Sequence, residues 1–496
     1  MNRQITRLAL TGVGLIVSLV VATTYWQAWA AGDLADRQDN QIERVAQFTI
    51  KRGEIIGTSP RRVLARNRSE KVGGRTLYFR RYPQGALTSH VVGYSTQSRS
   101  RAGLERSLND YLTGSNANLS TVLDTTFDRL KGATIQGNDV LLTLNLRAQR
   151  AAMDALGGRC GSVVALEPAT GKVLVLANVP SYDPNVFEKD DALRRIARIQ
   201  APCRPVAPLY NRATKGLYAP GSTFKVLTLA AALDTGRFKP DSSFIDPGYC
   251  EVYGRRVNNY DTTSPFGRLN LREALVNSVN SVFCNIGKDL GSRKIVEYSK
   301  RFGFYSTPPL ETPSSERAPS GLYVKGETFD PKVDSDVDPG RFAFGQERLL
   351  VTPLQMAMLA GAIANRGVVM RPYVVDRIVA PSGKTVVRTK PSDLGRAVKP
   401  ETADAVASMM RDAVSRGTGT RAQLSGVPVA GKTGTAETGR AGLNTTWFIC
   451  FAGRGKRQVA VAVVVEQQSS GSTGGQTAAP VAREVLQALF GGAANS

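Results

Sequence analysis

Residues Leu8 to Gly32 form an unbroken run of 25 uncharged residues, most apolar at Leu15-Ile-Val-Ser-Leu-Val-Val21. About 20 apolar residues in a helix suffice to cross the hydrocarbon core of a bilayer. Arg3 and Arg7 precede the run, and basic flanks stay on the cytoplasmic side. Tyr25, Trp26 and Trp29 suit the outer interface. We read residues 1–32 as a cytoplasmic tip and an uncleaved, single-pass membrane anchor. The rival reading is a cleaved export signal, because Ala28-Trp29-Ala30 resembles a small-residue cleavage site. In either case the remainder is expected outside the cytoplasm, and 496 residues allow two or three domains.

Composition narrows the chemistry. His90 is the only imidazole, so a His-rich zinc site is excluded and a Ser-His-Asp triad has one distant candidate. The five cysteines, at 160, 203, 250, 284 and 450, show no metal-ligand spacing. Cys450 reads as a small core residue, while disulfides among the other four are open in an oxidising compartment. The net charge of +23 asks for an anionic surrounding: nucleic acid, a membrane surface or an acidic polymer.

The centre of the chain is Gly216-Leu-Tyr-Ala-Pro-Gly-Ser-Thr-Phe-Lys225 and the apolar run to Leu233. Val226, Leu227, Leu229, Ala230 and Leu233 are apolar around the whole circumference, which predicts a helix buried on all sides. Ser222 and Lys225, three apart, project on one face of its first turn. A serine hydroxyl needs a base to become a nucleophile, and a lysine stripped of its charge by desolvation can be that base. Ser-x-x-Lys alone is a chance event in a chain this long, so the motif needs companions.

Two companions follow. Ser278 and Asn280, in Val276-Asn-Ser-Val-Asn-Ser281, offer at a helix junction a hydroxyl to relay a proton and an amide to hold a carbonyl; the plain alternative is a helix cap. Lys432-Thr433-Gly434, on a predicted Val427–Thr435 strand, offers a cation for a carboxylate and backbone N–H groups for an oxyanion. Two decoys lie nearby. Gly426-Val-Pro-Val-Ala-Gly-Lys-Thr433 matches a phosphate-loop pattern, with Glu466 as a possible acidic partner, yet no helix pattern follows it. Asp334-Ser-Asp-Val-Asp-Pro339 opens like a calcium loop but has proline where glycine is needed.

Elsewhere, Gln47–Ile56, Arg75–Arg80 and Asp139–Leu144 read as strands, and Ala102–Leu112 as a short helix. Gly161–Ala177 reads as a hairpin and Leu271–Leu290 and Pro353–Arg366 as helices. Trp447–Ala452 and Val459–Glu466 read as strands before a closing helix, Ala479–Phe490. Strands at both ends with helices between predict one sheet assembled from distant segments, with the Ser222 helix packed beside it.

Ser222-Thr-Phe-Lys225, Ser278-Val-Asn280 and Lys432-Thr-Gly434, in that order, resemble the motif set of the penicillin-recognising serine enzymes. Gly345-Gln346, Thr352–Ala357, Trp447-Phe448 and Pro180–Asn185 look like further landmarks of the transpeptidase domain of penicillin-binding proteins. Lys51-Arg-Gly-Glu54 and Gly103-Leu-Glu105 resemble the dimerisation or pedestal domain of the class B members. The resemblance implies a mixed α/β transpeptidase fold, an antiparallel sheet flanked by helices, at 151–496, after an α+β pedestal at 33–150. It implies a serine D,D-transpeptidase cross-linking peptidoglycan stem peptides through an acyl-enzyme on Ser222, with β-lactams as covalent inhibitors. Lys225 would take the Ser222 proton, Ser278 relay it and Asn280 orient the peptide amide. Lys432 and Thr433 would hold the terminal carboxylate, Gly434 and Thr435 would also bind substrate, and the N–H groups of Ser222 and Thr435 form the oxyanion hole. No metal or cofactor is implied. A glycosyltransferase or other wall-building protein is the expected partner, and lipid and wall polymers, rather than nucleic acid, the target of the charge. The alternatives are a D,D-carboxypeptidase and a non-catalytic penicillin-binding sensor of the same fold.

Overall fold

Val459-Ala-Val-Ala-Val-Val-Val465 is buried along its whole length because both faces of its sheet are covered. Val459, Val461, Val463 and Val465 face one hydrophobic cluster, while Ala460, Ala462 and Val464 face another. This division defines the architecture. The computed structural model describes residues 2–28, 48–96, 100–116, 134–189, 191–261, 263–455 and 457–491.

Helix α1 (Asn2–Ala28) contains the stretch Thr6–Tyr25, long and apolar enough to cross a membrane. Trp29 and the cleavage-site reading at Ala28-Trp29-Ala30 fall outside the described residues. Strands β1 (Ile55–Ser59), β2 (Arg61–Val72), β3 (Arg75–Arg81) and β4 (Asp139–Asn145) follow, and then helix α2 (Leu146–Leu156). Asn145 caps α2 by accepting from Ala148 N at 3.0 Å. The hairpin β5 (Gly161–Leu166) and β6 (Val173–Val179) forms as expected. Helix α3 (Lys225–Asp234) is buried on every side from Lys225 to Ala232. A small insert carries β7 (Ser243–Asp246), β8 (Tyr249–Val252), β9 (Arg255–Asn258) and β10 (Gly267–Asn270). Helices α4 (Leu271–Val276), α5 (Asn280–Leu290) and α6 (Pro353–Ala364) precede β11 (Val375–Val379) and β12 (Thr385–Arg388). Helix α7 (Pro400–Ser415), strands β13 (Val429–Glu437), β14 (Leu443–Arg454) and β15 (Arg457–Ser469), and helix α8 (Gly474–Phe490) complete the chain.

The main sheet is antiparallel, in the order β13-β14-β15-β5-β6, with β13 on an edge. Helices α2 and α8 cover one face; α6 and the buried α3 belong to the core on the other. A second, six-stranded sheet runs β12-β11-β4-β1-β2-β3, and β1 pairs with β4 in parallel. Its strands β11 and β12 come from the last third of the chain, so the sheet begun by the N-terminal strands is completed by a much later segment. Arg52 and Glu105, from the two N-terminal motifs, meet at 2.8 Å, and Arg80 joins Glu105 at 2.5 Å. Asn185 ties this region onward, donating to Tyr82 O and accepting from Tyr82 N.

Four expectations need correction. Of the expected strand Gln47–Ile56, among the described residues 48–56 only Ile55 and Ile56 are in a strand; Lys51 N and Gly53 N instead donate to Ile135 O and Leu112 O. The Ala102–Leu112 helix is two single turns, Gly103–Ser107 and Asn109–Thr113, parted at Leu108. Leu271–Leu290 is broken at Asn277–Val279. The closing helix starts at Gly474 and absorbs Pro480. Cys160 pairs with Cys203 and Cys250 with Cys284, while Cys450 is free and buried.

Candidate active site

Ser222 sits in a 3-10 turn, Gly221–Thr223, that leads directly into α3. Gly221 adopts φ +52°, and a Cβ there would lie 2.5 Å from Thr435 O, so only glycine fits. Gly221 N donates to Gly345 O at 3.0 Å, Thr223 Oγ1 to Pro220 O at 2.8 Å and Trp447 Nε1 to Ala219 O at 3.0 Å. The landmarks Gly345 and Trp447 thus hold the turn from two sides. The Ser222 side chain is half-buried.

Lys225 is fully buried one turn on. Its Nζ donates to Ser278 O at 2.7 Å and Asn280 Oδ1 at 2.8 Å, and lies 3.4 Å from Ser278 Oγ. Among the described residues no hydrogen bond joins it to Ser222 Oγ and no carboxylate pairs with it. Burial pushes the amine well below the ordinary lysine range, and the nearby charge of Lys432 pushes it further. Ser278 causes the break between α4 and α5: its φ of +59° is left-handed, a strained conformation for a residue with a Cβ. That kink turns the Ser278 carbonyl and the Asn280 amide towards the same amine.

Lys432, on the edge strand β13, is also fully buried. It donates to Ser278 Oγ at 2.8 Å and Thr433 O at 3.0 Å. Burial lowers its pKa to about 7. Thr433 Oγ1 shares a 2.7 Å hydrogen bond with Thr418 Oγ1, and Thr435 Oγ1 accepts from Gly474 N at 3.4 Å. Gly434 lets the strand approach the Ser222 turn: a Cβ there would lie 2.8 Å from Pro220 O. The three motifs therefore meet in one cleft, with two buried amines around a shared hydroxyl.

A model of the penicillin binding protein transpeptidase domain matches residues 161–487, and one of the penicillin binding protein A dimerisation domain matches residues 52–140. The chain belongs to the class B penicillin-binding proteins. It is 35% identical to the peptidoglycan D,D-transpeptidase PbpA of Mycolicibacterium smegmatis, with 99% of each chain covered. Against the Mycobacterium tuberculosis protein of the same name it is 34% identical, over 99% of this chain and 100% of the relative. Its fold resembles penicillin-binding protein A from M. tuberculosis, solved as a ceftriaxone acyl-enzyme complex. There the TM-score is 0.80 at 32% identity, covering 90% of this chain and 100% of that one.

In this penicillin-binding protein the decoys resolve into structural parts. Strand β13 runs unbroken through Lys432 with no helix after it, unlike a phosphate loop. Glu466 accepts from Arg212 Nε at 2.8 Å and the Tyr218 hydroxyl at 2.6 Å. Asp334 caps the Ser292–Arg301 helix, accepting from Arg293 N and Ser292 Oγ. His90 is buried edge-on to Tyr182, and burial lowers its pKa to about 4. Sequence reasoning missed Thr418, the support from Gly345 O and Trp447 Nε1, and a polar cluster of Asp246, Asn258 and Asn259 behind Asn280. Phe244-Ile-Asp-Pro-Gly248 signals a turn, but nothing local names the partners of its aspartate.

Proposed function

We propose that this class B penicillin-binding protein is a serine D,D-transpeptidase that cross-links peptidoglycan stem peptides. The observation that carries the reading is a fully buried, charge-depressed Lys225, one turn after Ser222 and hydrogen-bonded to Ser278 and Asn280. Ser222 Oγ attacks the carbonyl of the penultimate D-Ala while its proton passes to the neutral Lys225 amine. The N–H groups of Ser222 and Thr435 receive the oxyanion. Asn280 orients the peptide amide, and Lys432, Thr433 and Gly434 hold the terminal carboxylate. As the C–N bond breaks, the proton returns through Ser278 to the leaving D-Ala amine, and an ester remains on Ser222. The amine of a second stem peptide attacks that ester, gives up a proton and releases Ser222. A β-lactam carbonyl enters the same path, but its amine stays tethered and the acyl-enzyme persists.

We further propose that α1 anchors the chain with its N-terminus in the cytoplasm and residues 33–496 outside. Residues 33–150 form a pedestal for the domain at 151–496, beside a glycosyltransferase partner. The test is fluorescent penicillin on the full-length protein. Covalent labelling should vanish in Ser222→Ala, and labelling that persists refutes the assignment. Donor peptide with an acceptor amine should give the cross-linked amide, and hydrolysis alone would make the enzyme a carboxypeptidase.

A further inference from the structure

Asp246, 1% exposed, is a buried carboxylate that the reaction above leaves unused. It accepts Ser281 Oγ at 2.6 Å, the Asn259 amide on both oxygens at 2.9 Å, and the backbone N–H groups of Gly248 and Phe266 at 2.9 Å. Burial alone would raise its pKa, but the hydrogen bonds from Ser281, Phe266, Gly248 and Asn259 bring it below the ordinary value. It is therefore a carboxylate at neutral pH, saturated with donors.

Those donors lead to Asn280. Helix α5 begins with Val279 as its cap, a residue with no oxygen to offer its open N–H groups. Asn259 Oδ1 supplies the cap from outside, accepting Ser281 N at 2.9 Å. The neighbouring Asn258 carbonyl accepts Asn280 Nδ2 at 3.1 Å, while Asn280 Oδ1 faces the Lys225 amine. The second Nδ2 hydrogen is then left for a substrate carbonyl. A flipped amide would set oxygen against oxygen at Asn258 and would occupy the lone pair with which the neutral Lys225 amine takes a proton.

We propose that Asp246, acting through Asn259 and Ser281, is a positioning residue for acylation that fixes the Ser-x-Asn turn and the orientation of the Asn280 amide. This rests on Asn280 belonging to the site, and the experiment separates the two. Acylation of the full-length protein by fluorescent penicillin is followed by stopped flow, resolving pre-acylation binding from the acylation step, with melting temperature in parallel. Asn280→Ala should lose acylation; a wild-type rate there overturns the site reading itself. With Asn280→Ala inactive, Asp246→Asn should slow the acylation step by about 10²-fold, the scale of a misplaced reacting group. The exchange Asp246→Asn with Asn259→Asp restores donor facing acceptor between positions 246 and 259, while the new amide nitrogen still faces Gly248 N or Phe266 N, and should recover part of the lost rate. A wild-type rate in Asp246→Asn overturns the inference. So does an exchange that regains melting temperature without regaining rate. If Asp246→Asn does not fold, Asn259→Ser carries the test, with a tenfold slower step expected and an unchanged one overturning it.

Discussion

Lys225 and Lys432 converge on a single hydroxyl, Ser278 Oγ, at 3.4 and 2.8 Å. Neither amine has a carboxylate partner among the described residues, and both are fully buried. Two ammonium groups so placed repel each other, so the free cleft favours at most one charge.

The pH dependence of acylation follows. In its proposed role as base Lys225 must be neutral, so the acylation step should rise with pH and level off well below the ordinary lysine pKa of about 10.4. In its proposed role Lys432 must be charged to hold a carboxylate, so binding of anionic penicillin should weaken as pH rises through about 7. A neutral penicillin ester should lack that second limb. Lys225→Ala should lower the rate by at least about 10³-fold, at the upper part of the range for losing a general base. Rates measured across pH for acid and ester check all three.

Gly221→Ala should cripple the site without unfolding the protein. The new methyl would lie 2.5 Å from Thr435 O, at a φ of +52°. Pushing turn and strand apart by a fraction of an ångström should cost about 10²-fold in acylation. Circular dichroism should be unchanged; a wild-type labelling rate would contradict the close approach.

Glu105→Gln should act on stability alone. The carboxylate is fully buried between Arg80 and Arg52, and removing it leaves two guanidiniums uncompensated, at about 3–5 kcal/mol. Burial raises its pKa, but Arg80 and then Arg52 overcome this and lower it on balance. Its contribution is therefore full above the unfolded value of about 4.3 and is lost as pH falls through the lower folded value. Urea unfolding at pH 7 and pH 3 should show the wild-type and variant curves converging in acid, with penicillin labelling at pH 7 intact.

Trp447→Phe should loosen the nucleophile turn. It removes the hydrogen bond to Ala219 O, worth about 1 kcal/mol net, and keeps the aromatic packing against Tyr218. A drop in acylation of about fivefold, with a small loss in melting temperature, is the expected result.

The local motifs were legible because their chemistry is local. Ser222 and Lys225 lie within a few residues of each other, and Lys432-Thr433-Gly434 lies on one strand, so spacing alone groups them. Strands buried on both faces, such as Val459–Glu466, announce themselves as apolar runs. Asp246 was not legible, because its partners Asn259, Phe266 and Ser281 stand 13, 20 and 35 residues away. The break at Asn277–Val279 was hidden as well. Its apolar flanks keep a helical rhythm, and only contact with Lys225 shows why Ser278 leaves it. The expected strand Gln47–Ile56 misled through its composition, since Lys51 and Gly53 bond to Ile135, Gly137 and Leu112 outside any regular sheet.

The pairing of β4 with β11 has a consequence for how the polypeptide is made. Val140 waits for Ile378 to arrive before its outer edge is closed. With an N-terminal anchor held in place and the residues after it crossing the membrane in chain order, the sheet would stay unfinished until Val375–Val379 follows. Such an edge invites pairing with the wrong strand. A fragment ending before Val375 should inherit that hazard permanently, and clump where the full-length protein stays dispersed.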